Sequence, residues 1–456
     1  MRLRDLAGRR VALWGFGREG RASMAALLAL PVPPEEVVIV TDRPPSGAEA
    51  AAAGVSWRFG DAGIASLRIA DCVIRSPGIS RYREDAQRIA LATRVTTGTN
   101  LWFAEHAGDP IIAVTGSKGK STTASLIAHL AGAAGLRTVL AGNIGVPLLS
   151  ELSPDPPPDL WVLELSSQQT ADMDLSPRIG VLLNLYREHV DWHGSVERYI
   201  EDKLNLFAHS PETVAVLNRE DKTTRANARR LERVVWFGYP DGYHTDGRAL
   251  LWRGETLIEA GRLRLRGRHN LLNACAALTA LDQAGIDPRS LVGALPDFQP
   301  LRHRLEPLGE LDGVAFVDDS IATIPEAAVA ALDAVGGGGA VLIAGGFDRG
   351  QDHTPLVRRL QHADNVLAVV TLPPSGLRLA ADLQARDASP PVVPAVDLSD
   401  AVRIAWRWSR PGSVVLLSPA APSYGAFRDF EERGEAFRAL VADLAGVPGG
   451  GRGPGG

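Results

Sequence analysis

The stretch Ile111 to Thr123, reading IIAVTGSKGKSTT, decides the fold. An apolar β-type run turns through Gly116 and Gly119 into Lys120, Ser121 and Thr122, where a helix-forming segment begins. This is the layout of a triphosphate cradle. Glycines let backbone N–H groups approach phosphate oxygens, Lys120 supplies a point charge, Ser121 or Thr122 offers a hydroxyl to Mg²⁺, and the helix aims its positive end at the anion. The common P-loop leaves four residues between its glycines. Here only Ser117 and Lys118 separate them. A Gly/Ser turn without a ligand is the plain alternative, and nucleotide binding is favoured over it.

Outward from this stretch the same grammar repeats. Apolar β-type runs at Val11 to Trp14, Val37 to Val40, Trp161 to Leu165, Val181 to Leu185, Gly339 to Ala344 and Ser413 to Leu417 alternate with Gly turns and Ala/Leu-rich helical stretches. The expectation is an α/β fold of largely parallel sheets. Short β-type pieces at Val234 to Phe237 and Ala249 to Leu265, with the turns Asp241-Gly242 and Asp246-Gly247, suggest a small antiparallel addition to the central region. At 456 residues the chain is too long for one ordinary core. Three domains are expected: an N-terminal Rossmann-like one over 1–108, a central P-loop ATPase-like one over 109–299 and a C-terminal Rossmann-like one over 300–447. The Gly/Pro tail 448–456 should be disordered.

Composition excludes several classes. With 48 basic and 53 acidic residues and a net charge of −5, nothing draws the chain to nucleic acid or to an anionic membrane. Cys72 and Cys275 are the only cysteines and lack metal-site neighbours, which fits a reducing cytosol. No leader pattern and no bilayer-length apolar run is evident. A cytoplasmic chain without stable membrane contact is expected.

Five further constellations carry chemistry. Gly15-Phe16-Gly17-Arg18-Glu19-Gly20 follows the first β-type run, and Asp42 stands 22 residues after Gly20. This is a dinucleotide fingerprint, a site for another diphosphate such as a UDP-linked substrate, or a tight turn with no ligand. Glu164, in Glu164-Leu165-Ser166-Ser167-Gln168-Gln169, ends a strand where a nucleotide's Mg²⁺ ligand is expected; strand-end glutamates are also often merely solvated. The run Asn184 to His193 sets His189 between Glu188 and Asp191, with His193 as readily a surface residue as a ligand. Lys203 lies among Ile200, Leu204 and Phe207, and would by itself be read as a snorkelling lysine. Asn270 and Asn273 open a later helix, reading an adenine edge or capping it.

Together and in this order, these pieces resemble the Mur ligase family, most closely its MurD-type members. The segments that carry the likeness are TGSKGKST at Thr115 to Thr122, GNIGVP at Gly142 to Pro147, LELSSQQ at Leu163 to Gln169, GRHNLLN at Gly267 to Asn273 and HRLE at His303 to Glu306. DDSIAT at Asp318 to Thr323, AGGFDRG at Ala344 to Gly350 and LLSPAAPSYGAFRDFEERG at Leu416 to Gly434 complete it. The resemblance implies an ATP-dependent ligase that phosphorylates the carboxylate of a UDP-N-acetylmuramoyl substrate, after which an amino-acid amine attacks the acyl phosphate. It places Lys120, His189 and Lys203 in catalysis, and Ser121 and Glu164 on one Mg²⁺ with His189 on a second. Lys203 falls on the lysine that becomes carbamylated and orients metal. ATP falls to Gly116, Ser117, Lys118, Gly119, Lys120, Ser121, Thr122, Asn270, Asn273, Arg304 and Asp319. The UDP substrate falls to Gly15, Gly17, Gly20, Asp42, Ser76, Gly78, Asn143 and Gln169, and the amino acid to Thr323, Arg349, Ser423 and Phe430.

The departures concern the incoming amino acid. Members adding D-glutamate carry DSKATN where this chain has Asp319-Ser320-Ile321-Ala322-Thr323-Ile324. Losing a cation beside a dicarboxylate weakens an unchanged pose by about 1.5–3 kcal/mol. The expected reaction is therefore L-glutamate addition to UDP-N-acetylmuramoyl-L-alanine by a monomer paired with a separate product epimerase; D-glutamate is the competing substrate. Lys118 replaces the usual Asn, adding charge near the phosphates or pointing to solvent. An NAD-dependent oxidoreductase, a nucleotide sensor and a folylpolyglutamate-type ligase are the rivals.

Overall fold

A computed structural model describes residues 1–42, 55–143, 146–265, 267–299, 302–335, 338–348, 350–361, 363, 365–384 and 390–446. Arg349, Pro300 at the expected joint, and the tail 448–456 lie outside the described residues. The chain divides into two compact units: residues 1–259 with 272–296, and residues 260–271 with 297–456.

The first unit holds two parallel sheets. β1 (Arg10–Trp14), β2 (Glu36–Thr41), β3 (Ser56–Phe59), β4 (Cys72–Arg75) and β5 (Arg94–Thr96) lie in the order β3-β2-β1-β4-β5. The order reverses at β1, which opens a crevice between the loops after β1 and β4. The second sheet runs β11-β10-β9-β6-β8-β7, from β6 (Ile111–Thr115), β7 (Thr138–Gly142), β8 (Leu160–Glu164), β9 (Ile179–Leu182), β10 (Val214–Asn218) and β11 (Arg233–Phe237). β6 and β8 are buried along their whole length, which is why they read as unbroken apolar runs rather than alternating ones. One apolar core joins the two sheets: Leu27, Leu101 and Trp102 share a cluster with Leu148, Trp161 and Leu163.

The small antiparallel addition is present as β12 (Tyr243–Thr245), β13 (Ala249–Trp252) and β14 (Glu255–Glu259). It does not include Val234 to Phe237. That run is the edge strand β11, paired in parallel with β10, Val216 opposite Val235. The helix Lys222–Asn227 supplies the crossover a parallel pairing requires, and β-branched residues do not by themselves declare which partner they will pair with.

The second unit is built on the order β15-β16-β20-β17-β18-β19, from β15 (Glu306–Leu311), β16 (Val314–Asp318), β17 (Ala340–Gly345), β18 (Val366–Leu372), β19 (Val392–Pro394) and β20 (Val414–Leu417). Among the described residues of this unit, only the β15–β16 pair is antiparallel. Residues 260–271 group with this unit, so the helix Arg268–Gln283 begins in one unit and continues in the other.

Candidate active site

The phosphate loop joins β6 to the helix Lys120–Ala133. Gly116 (φ 147°) and Gly119 (φ 88°) take conformations that L side chains rarely adopt, and a Cβ on Gly119 would stand 2.4 Å from Asn273 Oδ1. Thus the loop must be glycine there, and Asn273 abuts it. The loop is held from the exit of β9. Ser117 N donates to Asn184 O at 2.9 Å, Lys118 N to Asn184 Oδ1 at 2.7 Å and Asn184 Nδ2 to Lys118 O at 3.0 Å. Ser117 Oγ lies 2.5 Å from the Tyr199 hydroxyl. Lys120 Nζ donates to the carbonyls of Gly116 and Ser117.

Lys118 does not point to solvent. Its ammonium lies 3.0 Å from Glu188 Oε1. Burial opposes ionisation of Glu188, yet Lys118, Lys120 and His189 outweigh it and hold the carboxyl below its ordinary range. Lys203 is not a snorkelling lysine either. It is buried and donates to Gly116 O at 2.9 Å. Burial, with Lys120 adding to it, pushes its pKa well down. An amine so placed is readily neutral, and only the neutral amine is a nucleophile.

Glu164 ends β8 and is buried rather than solvated. Its Oε1 accepts from Asn143 Nδ2 at 2.7 Å, while its buried Oε2 has no hydrogen-bond partner. A buried carboxylate oxygen without a donor is what a hard cation such as Mg²⁺ requires of a ligand. Glu164 meets it, and Asn143 is spent partly on orienting Glu164. Ser121 is half-buried in the first turn of the helix, whereas Thr122 is buried and its hydroxyl is without a partner. His189 caps the short helix Val190–His193 at φ 51°, ψ 33°. His193 is not a surface residue: it is buried, its ring nitrogens facing Asp202 Oδ2 at 2.5 Å and Ser167 Oγ at 3.0 Å.

The other glycine turn lies at the carboxyl edge of the first sheet. A Cβ on Gly20 would meet Gly15 O at 2.3 Å, and one on Gly15 would meet Ser76 Cβ at 2.9 Å. Ser76 Oγ donates to Gly15 O at 3.1 Å. Gly17 caps the helix Arg18–Leu28, Gly78 follows in the loop after β4, and Asp42 is exposed just beyond β2. Gln169, in the short helix Ser167–Thr170 that follows β8 of the second sheet, comes within 3.5 Å of Glu19 in this turn. The edges of both sheets in this unit therefore converge.

In the second unit Asp319 is buried, accepting from Ser418 Oγ at 2.8 Å and Leu305 N at 3.2 Å. Its neighbour Asp318 accepts from His303 Nδ1 at 2.7 Å. Asn270 and Arg304 belong to the same unit. The loops bearing the amino-acid candidates are stitched together by Arg433, which sequence reasoning missed. Its guanidinium donates to Ser320 Oγ at 3.0 Å, Ser320 O at 2.7 Å and Ala421 O at 3.1 Å. Ser320 Oγ donates in turn to Phe430 O at 2.7 Å, and Ser423 O accepts from Phe427 N. Thr323 is half-buried beyond Ile321. Tyr199 was also missed, although it precedes Lys203 by one helical turn.

Fold and site define a phosphate-loop α/β enzyme. The Mur ligase middle domain matches residues 114–281, and the Mur ligase, glutamate ligase domain matches residues 303–421. A relative from Salinispora tropica, named UDP-N-acetylmuramoyl-L-alanine–L-glutamate ligase, is 45% identical over 98% of this chain and 100% of its own. One of the same name from Xanthomonas campestris pv. campestris is 40% identical over 98% and 99%. The solved MurF ligase of Thermotoga maritima in complex with ADP shares the fold at TM-score 0.58 and 17% identity, over 97% of each chain. The chain belongs to the Mur ligase family, and it is an ATP-dependent ligase of peptidoglycan synthesis. Among the described residues no helix is long and apolar enough to cross a membrane.

Proposed function

We propose that the chain joins L-glutamate to UDP-N-acetylmuramoyl-L-alanine in the cytoplasm, as a monomer whose product a separate epimerase then inverts. The substrate carboxylate attacks the γ-phosphorus of ATP and ADP leaves. The glutamate amine attacks the resulting acyl carbon, loses a proton, and phosphate departs from the tetrahedral intermediate to leave the amide. Residues 1–108 would hold the UDP end through Gly15, Gly17, Gly20, Asp42, Ser76 and Gly78, residues 109–299 the phosphates, and residues 300–447 the amino acid and part of ATP.

Gly116 to Thr122 and Asn273 cradle the triphosphate in this reading, and Asn270, Arg304 and Asp319 are the further candidate ATP residues. Lys120 exchanges its loop carbonyls for phosphate oxygens. Ser121 and Glu164 would hold one Mg²⁺, and His189 with Lys203 a second; bound there, Mg²⁺ offsets charge on the transferring phosphoryl group. The neutral Lys203 amine would attack CO₂ and lose a proton, giving an N-carboxylate that puts an anion at this buried position. The observation that carries the reading is the buried Glu164 carboxylate, one oxygen held by Asn143 and the other without a donor, at the strand next to the phosphate loop.

For the amino acid, Ile321 rather than a cation follows the Asp319-Ser320 pair, and the names borne by the Salinispora and Xanthomonas relatives specify L-glutamate. Purified protein given UDP-N-acetylmuramoyl-L-alanine, ATP, Mg²⁺ and one glutamate enantiomer at a time should release ADP and form product with L-glutamate. Efficient use of D-glutamate with none of the L form defeats the stereochemical assignment. Failure with both defeats the substrate assignment.

A further inference from the structure

Immediately after His189 the chain makes one helical turn, Val190–His193, and this turn is anchored on two sides. His189 stands in the left-handed region at φ 51°, a conformation that a non-glycine residue keeps only where its surroundings over-determine it. The backbone amides of Trp192 and His193 both donate to His189 O at 3.0 Å.

On one side, Trp192 Nε1 donates to Pro77 O at 3.0 Å, and Ser80 Oγ donates to Trp192 O at 2.5 Å. The indole also meets the Tyr82 ring edge-on at 5.9 Å. On the other side, His193 bridges Ser167 and Asp202, and the second oxygen of Asp202 accepts the Tyr82 hydroxyl at 2.7 Å. A closed circuit results. Residues 77–82 lie in the loop after β4, Ser167 lies two residues before Gln169, and Asp202 is the neighbour of Lys203. Buried polar circuits fix one arrangement of the elements that they join.

We propose that the turn Val190–His193 is a positioning element for His189, with Trp192 and His193 as the positioning residues. It ties the placement of that imidazole to the loop after β4 that would seat the UDP end of the substrate. This rests on the reading of His189 as a metal-holding site residue. A substrate that orders residues 76–80 then also orders His189, and by reciprocity of coupling a metal ion held there tightens the substrate loop.

Trp192→Phe keeps the ring and its contact with Tyr82 but removes the donor to Pro77; Ser80→Ala removes the other tie. Each should lower kcat by about three- to tenfold, the scale of one lost hydrogen bond, while KM for ATP and for glutamate stays within about twofold. Mn²⁺ binding, followed by electron paramagnetic resonance with a non-hydrolysable ATP analogue present, should weaken in both variants. It should also lose its enhancement by UDP-N-acetylmuramoyl-L-alanine. Should Trp192→Phe fail to fold, Ser80→Ala carries the test. A lowered melting temperature with kcat and Mn²⁺ binding unchanged overturns the proposal. So does wild-type behaviour in both variants while His189→Ala is inactive. Full activity in His189→Ala instead defeats the underlying reading of the site.

Discussion

Lys203 Nζ donates to the carbonyl of Gly116 at 2.9 Å, so the last turn of the helix Val196–Leu204 sets its one lysine beneath the first glycine of the phosphate loop. Burial leaves that amine poorly charged, and it also donates to the Thr115 hydroxyl at 3.4 Å. Lys203→Ala should cost on the order of 10²-fold or more in ADP release, the scale for one placed catalytic group. Short carboxylic acids added to Lys203→Ala should recover part of it, since they can enter the vacated space and present the anion. No recovery, with ATP and substrate still bound, speaks against an N-carboxylate.

The two glycine turns predict separable defects. A methyl at Gly119 meets the Asn273 amide, and a methyl at Gly20 meets the backbone oxygen of Gly15. Gly119→Ala also carries the strain of φ 88°, on the order of 1–3 kcal/mol. It should weaken ATP binding by about tenfold or more with the UDP substrate unaffected. Gly20→Ala should do the reverse. Isothermal titration of each ligand against each variant distinguishes them.

These two turns were legible because glycine and strand-end position are local signals. Strands such as β6 and β8 were legible for a related reason: burial on both faces writes itself as an uninterrupted apolar run. Pairing was not legible. Val234 to Phe237 reads equally well as hairpin or crossover strand, and only its parallel register with β10 decides. Burial of polar groups was hidden too. His193, Lys203 and Glu164 each looked capable of facing water, and their surroundings come from residues distant in sequence, such as Ser167 for His193 and Gly116 for Lys203. Arg433 is a further case, since its partner Ser320 is 113 positions away.

Arg433 gives a prediction for the amino-acid side of the reaction. It bonds both the Ser320 loop and Ala421, and burial lowers its pKa to about 10, so it remains charged at neutral pH. Arg433→Met strands the oxygens of Ser320 and Ala421, each worth about 1–3 kcal/mol when left unsatisfied. The expected result is a fall in melting temperature together with a rise of about tenfold or more in KM for glutamate, with the affinity for UDP-N-acetylmuramoyl-L-alanine retained. Arg433→Lys keeps the charge but not the fork that reaches both loops, and should recover little.

Asp319 predicts a pH dependence with a definite sign. Burial raises its carboxyl from 3.8 to about 7, against the Ser418 hydroxyl, the Arg304 charge and the Leu305 amide, all of which favour the anion. The folded chain therefore holds a proton that the unfolded chain has already released. The stability this gives is fully present below the unfolded value and is lost as pH rises through the folded one. Asp319→Asn has no proton to lose, and its amide can still accept from Leu305 N and donate to Ser418 Oγ. Its stability relative to the unmodified chain should thus rise between pH 5 and pH 8, by roughly 2–3 kcal/mol at about 1.4 kcal/mol per pKa unit, and level off above. Urea unfolding across that range measures the difference directly. A gap that stays flat from pH 5 to pH 8 would show that Ser418, Arg304 and the Leu305 amide outweigh burial, and that Asp319 is ionised throughout.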